Sequence, residues 1–189
     1  MQAVQGKAMT GRGPRAAAAA AALLLLAACG GRANDAAAPC PRIAILADGA
    51  DLTRFAPGAG RDLTALVLDA RLTGFEARCD FAGRDRRVLD VRITPRFEAE
   101  RGPAAEGRTA DLPWFVALSD AGDSAVVDRV AGTTRIAFAA NVPRAQATGR
   151  PVAVAVPVGG GLRAADYVLR LSFQLTPEEL ALNRQRGPR

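Results

Sequence analysis

The chain has 189 residues, 49% of them hydrophobic, which is enough for one domain with a sizeable core once a leader is set aside. It contains no histidine, so it lacks the commonest general base at neutral pH, the usual metal ligand and the usual partner of a nucleophilic Ser or Cys; this argues against an enzyme and against a metal or other cofactor. The formal charge is +6, but the arginines are interleaved with Asp and Glu and form no basic stripe, which argues against nucleic acid as a partner.

The first element is a targeting segment. Lys7, Arg12 and Arg15 supply positive charge with no acidic residue among them. Ala16 to Leu26 is an uninterrupted apolar run, followed by Ala27, Ala28 and Cys29. A charged start, an apolar centre and small residues before a cysteine predict a cleaved lipoprotein signal, residues 1–28, as a helix that is removed. The run Leu26-Ala27-Ala28-Cys29 is a lipobox, so Cys29 is the expected lipidation site, carrying acyl chains such as palmitate. The apolar run is shorter than the roughly 20 residues a membrane-spanning helix needs. The alternatives are a buried Ala/Leu helix and an ordinary secretory signal. Removal of the signal takes away three cations and no anion, so the formal +6 falls by three to +3. More than one acyl chain holds a protein stably at a bilayer, at ~0.8 kcal/mol per buried methylene. The expected address is the cell envelope, periplasm-facing and lipid-anchored. Gly30 after the cysteine, where Asp would favour the inner membrane, favours the outer one.

Residues 29–39 read as a flexible tether, small and polar without an apolar period. From Cys40 the dominant signal is alternation, the mark of half-buried strands. Arg42 to Ala47 reads as a strand, and 51–62 as loop, punctuated by Pro57-Gly58 and Gly60. Residues 64–73 alternate, with Leu66, Leu68, Ala70 and Leu72 on one face. Phe75, Ala77, Cys79 and Phe81 continue one residue out of step, which predicts a bulge or bend at Gly74. After a turn at 83–85, residues 87–98 alternate again, with Leu89, Val91, Ile93 and Phe97 inward. Pro95 there predicts an edge or a bulge. Residues 101–108 read as a loop. Leu112, Trp114, Val116 and Leu118 line the next strand, joined by a hairpin at 120–123 to a strand over 124–130. Residues 135–139 form a weaker segment. Val152, Val154 and Val156 alternate with alanines, and Tyr167, Leu169, Leu171, Phe173 and Leu175 mark the clearest strand. Thr176-Pro177-Glu178-Glu179 is a capping box with proline at the first helical position, predicting a short helix to about Arg184 and then a tail.

This pattern predicts an all-β fold, an antiparallel β-sandwich over 40–175, immunoglobulin-like in general architecture, with a short C-terminal helix and tail over 176–189. A small barrel is the alternative. The Cys–Trp–Cys order of immunoglobulin domains is absent, because Trp114 follows both cysteines of the domain. With Cys29 assigned to lipid, Cys40 and Cys79 remain, and an oxidising compartment favours a disulfide between them, worth about 4 kcal/mol on the chain-entropy model. The alternative is two buried thiols.

Cys40-Pro41-Arg42-Ile43-Ala44-Ile45-Leu46-Ala47-Asp48, then Arg54-Phe55, Pro57-Gly58 and Arg61-Asp62-Leu63, and finally Phe173-Gln174-Leu175-Thr176-Pro177-Glu178-Glu179-Leu180 with Asn183, form a set. In these motifs the chain resembles a family of uncharacterised alphaproteobacterial lipoproteins. The resemblance implies a lipobox followed by one exported domain, and it implies no catalytic residues.

Asp69, Asp80, Asp85, Asp90, Glu98 and Glu100 are candidates for a carboxylate pair acting on a glycoside, although their positions fit solvated sheet faces and turns better. Arg92, Arg96 and Arg170 are candidates for an anion-binding patch, against the plainer reading of cross-strand ion pairs. Gly159-Gly160-Gly161 lacks the lysine of a phosphate loop and reads as a hairpin turn. Trp114 and Phe115 face opposite sides of one strand, so one belongs to the core and the other is a possible partner contact or lies under the C-terminal helix.

The leading expectation is a lipid-anchored, non-enzymatic interaction or structural module whose partner is an envelope protein. The alternative is a binder of a small ligand, a lipid or a cell-wall fragment. A hydrolase using carboxylates alone is the third.

Overall fold

A computed structural model describes residues 38–187. The signal segment 1–28, Cys29 and most of the expected tether lie outside the described residues, as do the last two positions. The chain forms two sheets packed face to face. Its strands are β1 (Arg42–Ile45), β2 (Asp51–Phe55), β3 (Leu66–Ala82), β4 (Val88–Arg101), β5 (Thr109–Asp120), β6 (Val126–Ala137), β7 (Arg144–Thr148), β8 (Val152–Pro157) and β9 (Tyr167–Phe173), followed by one helix, α1 (Pro177–Arg186).

Sheet one has the order β1-β9-β5-β6, and sheet two the order β2-β3-β4 with β7 and β8 sharing the far side of β4. The expected sandwich is present, with one departure from a purely antiparallel arrangement. β1 runs parallel to β9, with Arg42 opposite Val168, and the other ladders are antiparallel. After β1 the chain crosses by a 3-10 turn (Ala47–Gly49) into sheet two as β2. The space between the sheets is filled by side chains under 2% exposed, with Phe97, Trp114 and Phe173 at the centre and ring centroids 5.6 and 6.3 Å apart. Each such burial contributes about 1.5–3 kcal/mol.

Cys40 and Cys79 form a disulfide, with Cα atoms 5.6 Å apart. Cys40 precedes β1 of sheet one and Cys79 lies in β3 of sheet two, so the bond staples the two sheets along one side. Helix α1 begins with the expected capping box: Thr176 Oγ1 accepts from Glu179 N at 3.2 Å, and Glu179 Oε2 accepts from Thr176 N at 2.8 Å. It is tied down by Asn183, whose Nδ2 donates to the carbonyls of Asp48 and Asp51 at 2.9 and 2.8 Å.

The bulge falls where the alternation slips, between Leu72 and Gly74. Four expectations need correction, and one strand, over 144–148, carried no expectation. Residues 51–55, read as loop, form strand β2; their outward Asp51 and Thr53 meet Arg71 and Asp69 of β3, so a polar strand is held by tertiary pairing. Residues 126–137 are one strand, not two. Gly132 interrupts the apolar pattern because the Trp114 indole lies against it, where an added Cβ would sit 2.6 Å from Cζ2. Residues 144–148 form β7, too short and small-residued to show a period. Pro95 is on neither an edge strand nor a bulge. It sits where β7 hands over to β8, so the ladder bond it cannot donate is not needed, and its carbonyl accepts from Gly149 N at 2.9 Å. Arg101, assigned to a loop, is the last residue of β4.

Candidate functional site

The inward face of β4 is Leu89, Val91, Ile93, Phe97 and Ala99, each 2% exposed or less. The same alternation carries Arg101 inward. Its cross-strand partner is Leu68 of β3, itself 2% exposed, and opposite residues of a ladder share a face. On the other side of Leu68 stands Arg54 of β2. The last row of the core in sheet two is therefore Arg54, Leu68, Arg101, two guanidinium groups flanking a leucine.

A cavity of about 230 Å³ opens over this row. Val67, Leu68, Ala105, Ala110 and Phe138 give it an apolar lining beside the two arginines. The chain after β4 folds back along the start of β3: Gly102 N donates to Val67 O and Ala104 N to Leu66 O, both at 2.9 Å. Gly102 permits this approach, since a Cβ there would lie 2.0 Å from the Leu66 carbonyl oxygen.

The two arginines differ. Arg54 is anchored, with Nε donating to Glu179 Oε1 of α1 and Nη1 to the Asp111 carbonyl, both at 3.1 Å. Arg101 is not. Its Nη1 makes a long bond of 3.4 Å to the Gly107 carbonyl, and its Nε is buried without a hydrogen-bond partner. A buried donor left unmade costs about 1–3 kcal/mol, more if charged, and arginine cannot shed its proton to relieve it. Asp111 and Glu106 also border the cavity. The Asp111 carboxylate is engaged elsewhere: Arg135 of β6 donates to both its oxygens at 2.8 and 3.0 Å, which holds its pKa below the ordinary carboxylate value.

The carboxylates singled out from the sequence are divided between regions. Asp69 and Glu100 are cross-strand partners on the outward face of sheet two, where Thr53 donates to Asp69 at 2.8 Å and Arg144 pairs with Glu100 at 2.9 Å. Glu98 lies opposite Arg71 on that face. Asp80 and Asp90 face each other farther along the same hairpin, with Arg92 on Asp90 at 3.1 Å, and Asp85 is in the β3–β4 turn. Arg92, Arg96 and Arg170 do not form one patch: Arg92 and Arg96 lie on sheet two and Arg170 on sheet one. Each is paired, with Asp90, Glu76 and Asp123 respectively.

Trp114 is not a partner contact. It is 1% exposed, and its indole N–H donates to Thr134 Oγ1 at 3.0 Å. Phe115 lies half-buried on the outward face of sheet one, with the Arg129 guanidinium 3.9 Å above its ring. It is not under α1, which packs on the 3-10 turn and β2. The triple glycine makes a tight turn with φ of +100°, +61° and +98°, closed by a bridge from Gly159 to Leu162. Among the described residues no cluster of three His, Cys, Asp or Glu could hold a metal ion, and no helix is long and apolar enough to cross a membrane.

Arg54 stood out in the sequence only as part of a resemblance motif and Arg101 only as the start of a loop, and neither as a functional residue. The signal for Arg101 was the period of two itself, which runs from Leu89 to Ala99 and reaches 101 on the inward face. Comparison with known proteins finds no matching family model, no matching curated protein and no matching solved structure.

Proposed function

We propose that this protein is a lipid-tethered module of the bacterial cell envelope, anchored through Cys29, that works by non-covalent recognition and not by catalysis. The lipobox and the resemblance to alphaproteobacterial lipoproteins support the address. The Cys40–Cys79 bond supports it as well, because disulfides persist in oxidising compartments. The observation that carries the recognition role is the inward, unpaired Arg101 beneath an apolar cavity. Folds accept such local conflicts mainly where they serve a function. The disulfide and the start of β1 lie at the other end of the sandwich from the cavity, so the tether joins the domain away from it.

Metabolic labelling with a palmitate analogue in the native host tests the anchor. The wild-type chain is expected to take up label and to fractionate with the outer membrane, and Cys29→Ser to do neither. An unlabelled wild-type chain overturns the proposal.

An envelope protein as partner is the second reading. It is favoured by Val126 and Val127 at the start of the edge strand β6, 67% and 53% exposed beside the outward face that carries Phe115. Crosslinking in intact cells followed by affinity purification tests it, and recovery of free monomer alone across growth conditions overturns it.

A further inference from the structure

We infer that the end of the sandwich nearest the tether docks on an anionic phospholipid surface, through Arg84, Arg86 and Arg87 of the β3–β4 turn and Leu162 of the glycine turn after β8. This rests on the lipid anchor proposed above, because the tether is what keeps that end close to a bilayer. The two turns form one surface. Val158 N donates to the Arg87 carbonyl at 2.7 Å, and a Cβ added at Gly159 would lie 3.5 Å from Arg87 Cγ. The glycine turn closes where Gly159 and Leu162 exchange backbone hydrogen bonds at 2.8 and 3.0 Å. Its three glycines hold positive φ at no steric cost, and they leave Leu162, 48% exposed, with no side chain on the three residues before it.

The charge of the partner follows from what this surface has left unpaired. Arg84, Arg86 and Arg87 are all exposed, and the turn that carries them holds one carboxylate, Asp85. Among the described residues none of the three has a carboxylate partner; Arg86 lies over the Phe81 ring at 4.4 Å. The nearby Asp166 is taken by Arg163 at 2.9 Å. Loops at the opposite end carry no such excess: 56–62 sets Arg61 against Asp62, and 102–108 sets Arg108 against Glu106. Leu63 at that end is 80% exposed, so an exposed leucine alone does not single out an end, and the arginines do. Arginines near a membrane are drawn to anionic headgroups, and an apolar side chain among them enters the boundary between headgroups and acyl chains.

The membrane is within reach of this end. Cys79 lies four residues before Gly83, and its bond to Cys40 fixes the start of the domain to the strand that leads into the basic turn. Nine residues run from Cys29 to Ala38, which reach at most ~32 Å when fully extended. A surface held by so short a link needs little affinity of its own, because the link supplies an effective concentration on the order of millimolar. The few groups of the two turns then suffice, where on a free protein they would bind a bilayer weakly.

The test uses the lipidated chain in nanodiscs of phosphatidylcholine alone and of phosphatidylcholine mixed with phosphatidylglycerol. Leu162→Trp places an indole in the glycine turn, and wild type, whose single tryptophan is the buried Trp114, supplies the blank. With phosphatidylglycerol the added emission is expected to shift to the blue and to be quenched by brominated acyl chains, and high salt is expected to reverse both. Leu63→Trp, at the opposite end, is expected to show neither. Arg84→Gln with Arg87→Gln, in the Leu162→Trp background, is expected to lose the shift. In the unsubstituted chain, amide hydrogen exchange of 83–87 and 159–163 is expected to slow with phosphatidylglycerol and that of 56–62 to stay as it was. The inference is overturned if phosphatidylglycerol changes neither emission nor exchange, if both ends respond alike, or if the arginine variant responds like its parent. A chain that takes up palmitate label yet does not respond to phosphatidylglycerol loses the docking and keeps the anchor. An unlabelled chain loses the anchor, and this inference with it.

Discussion

Trp114 and Arg101 both carry nitrogen donors into this sandwich, and the two are treated differently. At the centre the Trp114 indole donates to Thr134 Oγ1 at 3.0 Å, and Gly132 leaves room for the ring. At one end the Arg101 Nε is as thoroughly shielded from water and has no partner. Inside a protein a satisfied donor rigidifies its surroundings and an unsatisfied one destabilises them. The centre is thus arranged for stability, while the end near β2 and α1 carries an unmet donor.

That contrast can be broken or sharpened by mutation, and the largest effect belongs to the centre. Trp114→Ala is expected to lose about 3–5 kcal/mol of unfolding free energy in urea titration, since it empties the middle of the core. A loss below 1 kcal/mol would mean that the inter-sheet space collapses freely and that the centre is not the stable region. Removing the sheet-to-sheet staple with Cys40→Ser and Cys79→Ser together is expected to cost about 4 kcal/mol in the same titration, with the cavity unaffected because it lies at the opposite end. Thr134→Val is next, at about 1–3 kcal/mol, because it leaves the indole N–H buried and unpaired. Set beside Arg101→Met, it gives the sharpest form of the comparison: removing the acceptor at the centre destabilises, while removing the donor at the end does not.

The smallest effect concerns acid. Arg135 lowers the folded-state pKa of Asp111 by hydrogen bonding to it. A carboxylate with a lowered folded pKa contributes stability that is present above its unfolded value, about 3.9, and is lost as pH falls through the folded value. Arg135→Gln is therefore expected to be slightly less stable than wild type near neutrality, and the two proteins to converge below the ordinary carboxylate range. Acid titrations followed by circular dichroism check this. Both groups are exposed, so the difference is small and shrinks further with salt.

The long strands were legible in the sequence because their two faces differ chemically. Leu66 to Leu72 and Leu89 to Phe97 alternate between apolar and polar, and the slip at Gly74 marks the bulge. The helix start was legible because Thr176, Pro177 and Glu179 satisfy its first N–H groups locally. β2 was illegible because its inward positions are Leu52 and Arg54 and its outward ones find their partners on β3 and α1, far away in the chain. β6 was read as two pieces because Gly132 is a blank in the pattern that only the neighbouring indole explains.

The sequence alone therefore determined the all-β class and the identity of the terminal helix, set by period and by local capping, and it left the Cys40–Cys79 bond as one of two alternatives that the structure settled. The tertiary structure decided the strand order, the parallel pairing of β1 with β9 and the meeting of Arg54 with Arg101 across Leu68. Register between strands far apart in the chain arises from packing two sheets together, and no local pattern encodes which residues that packing places side by side.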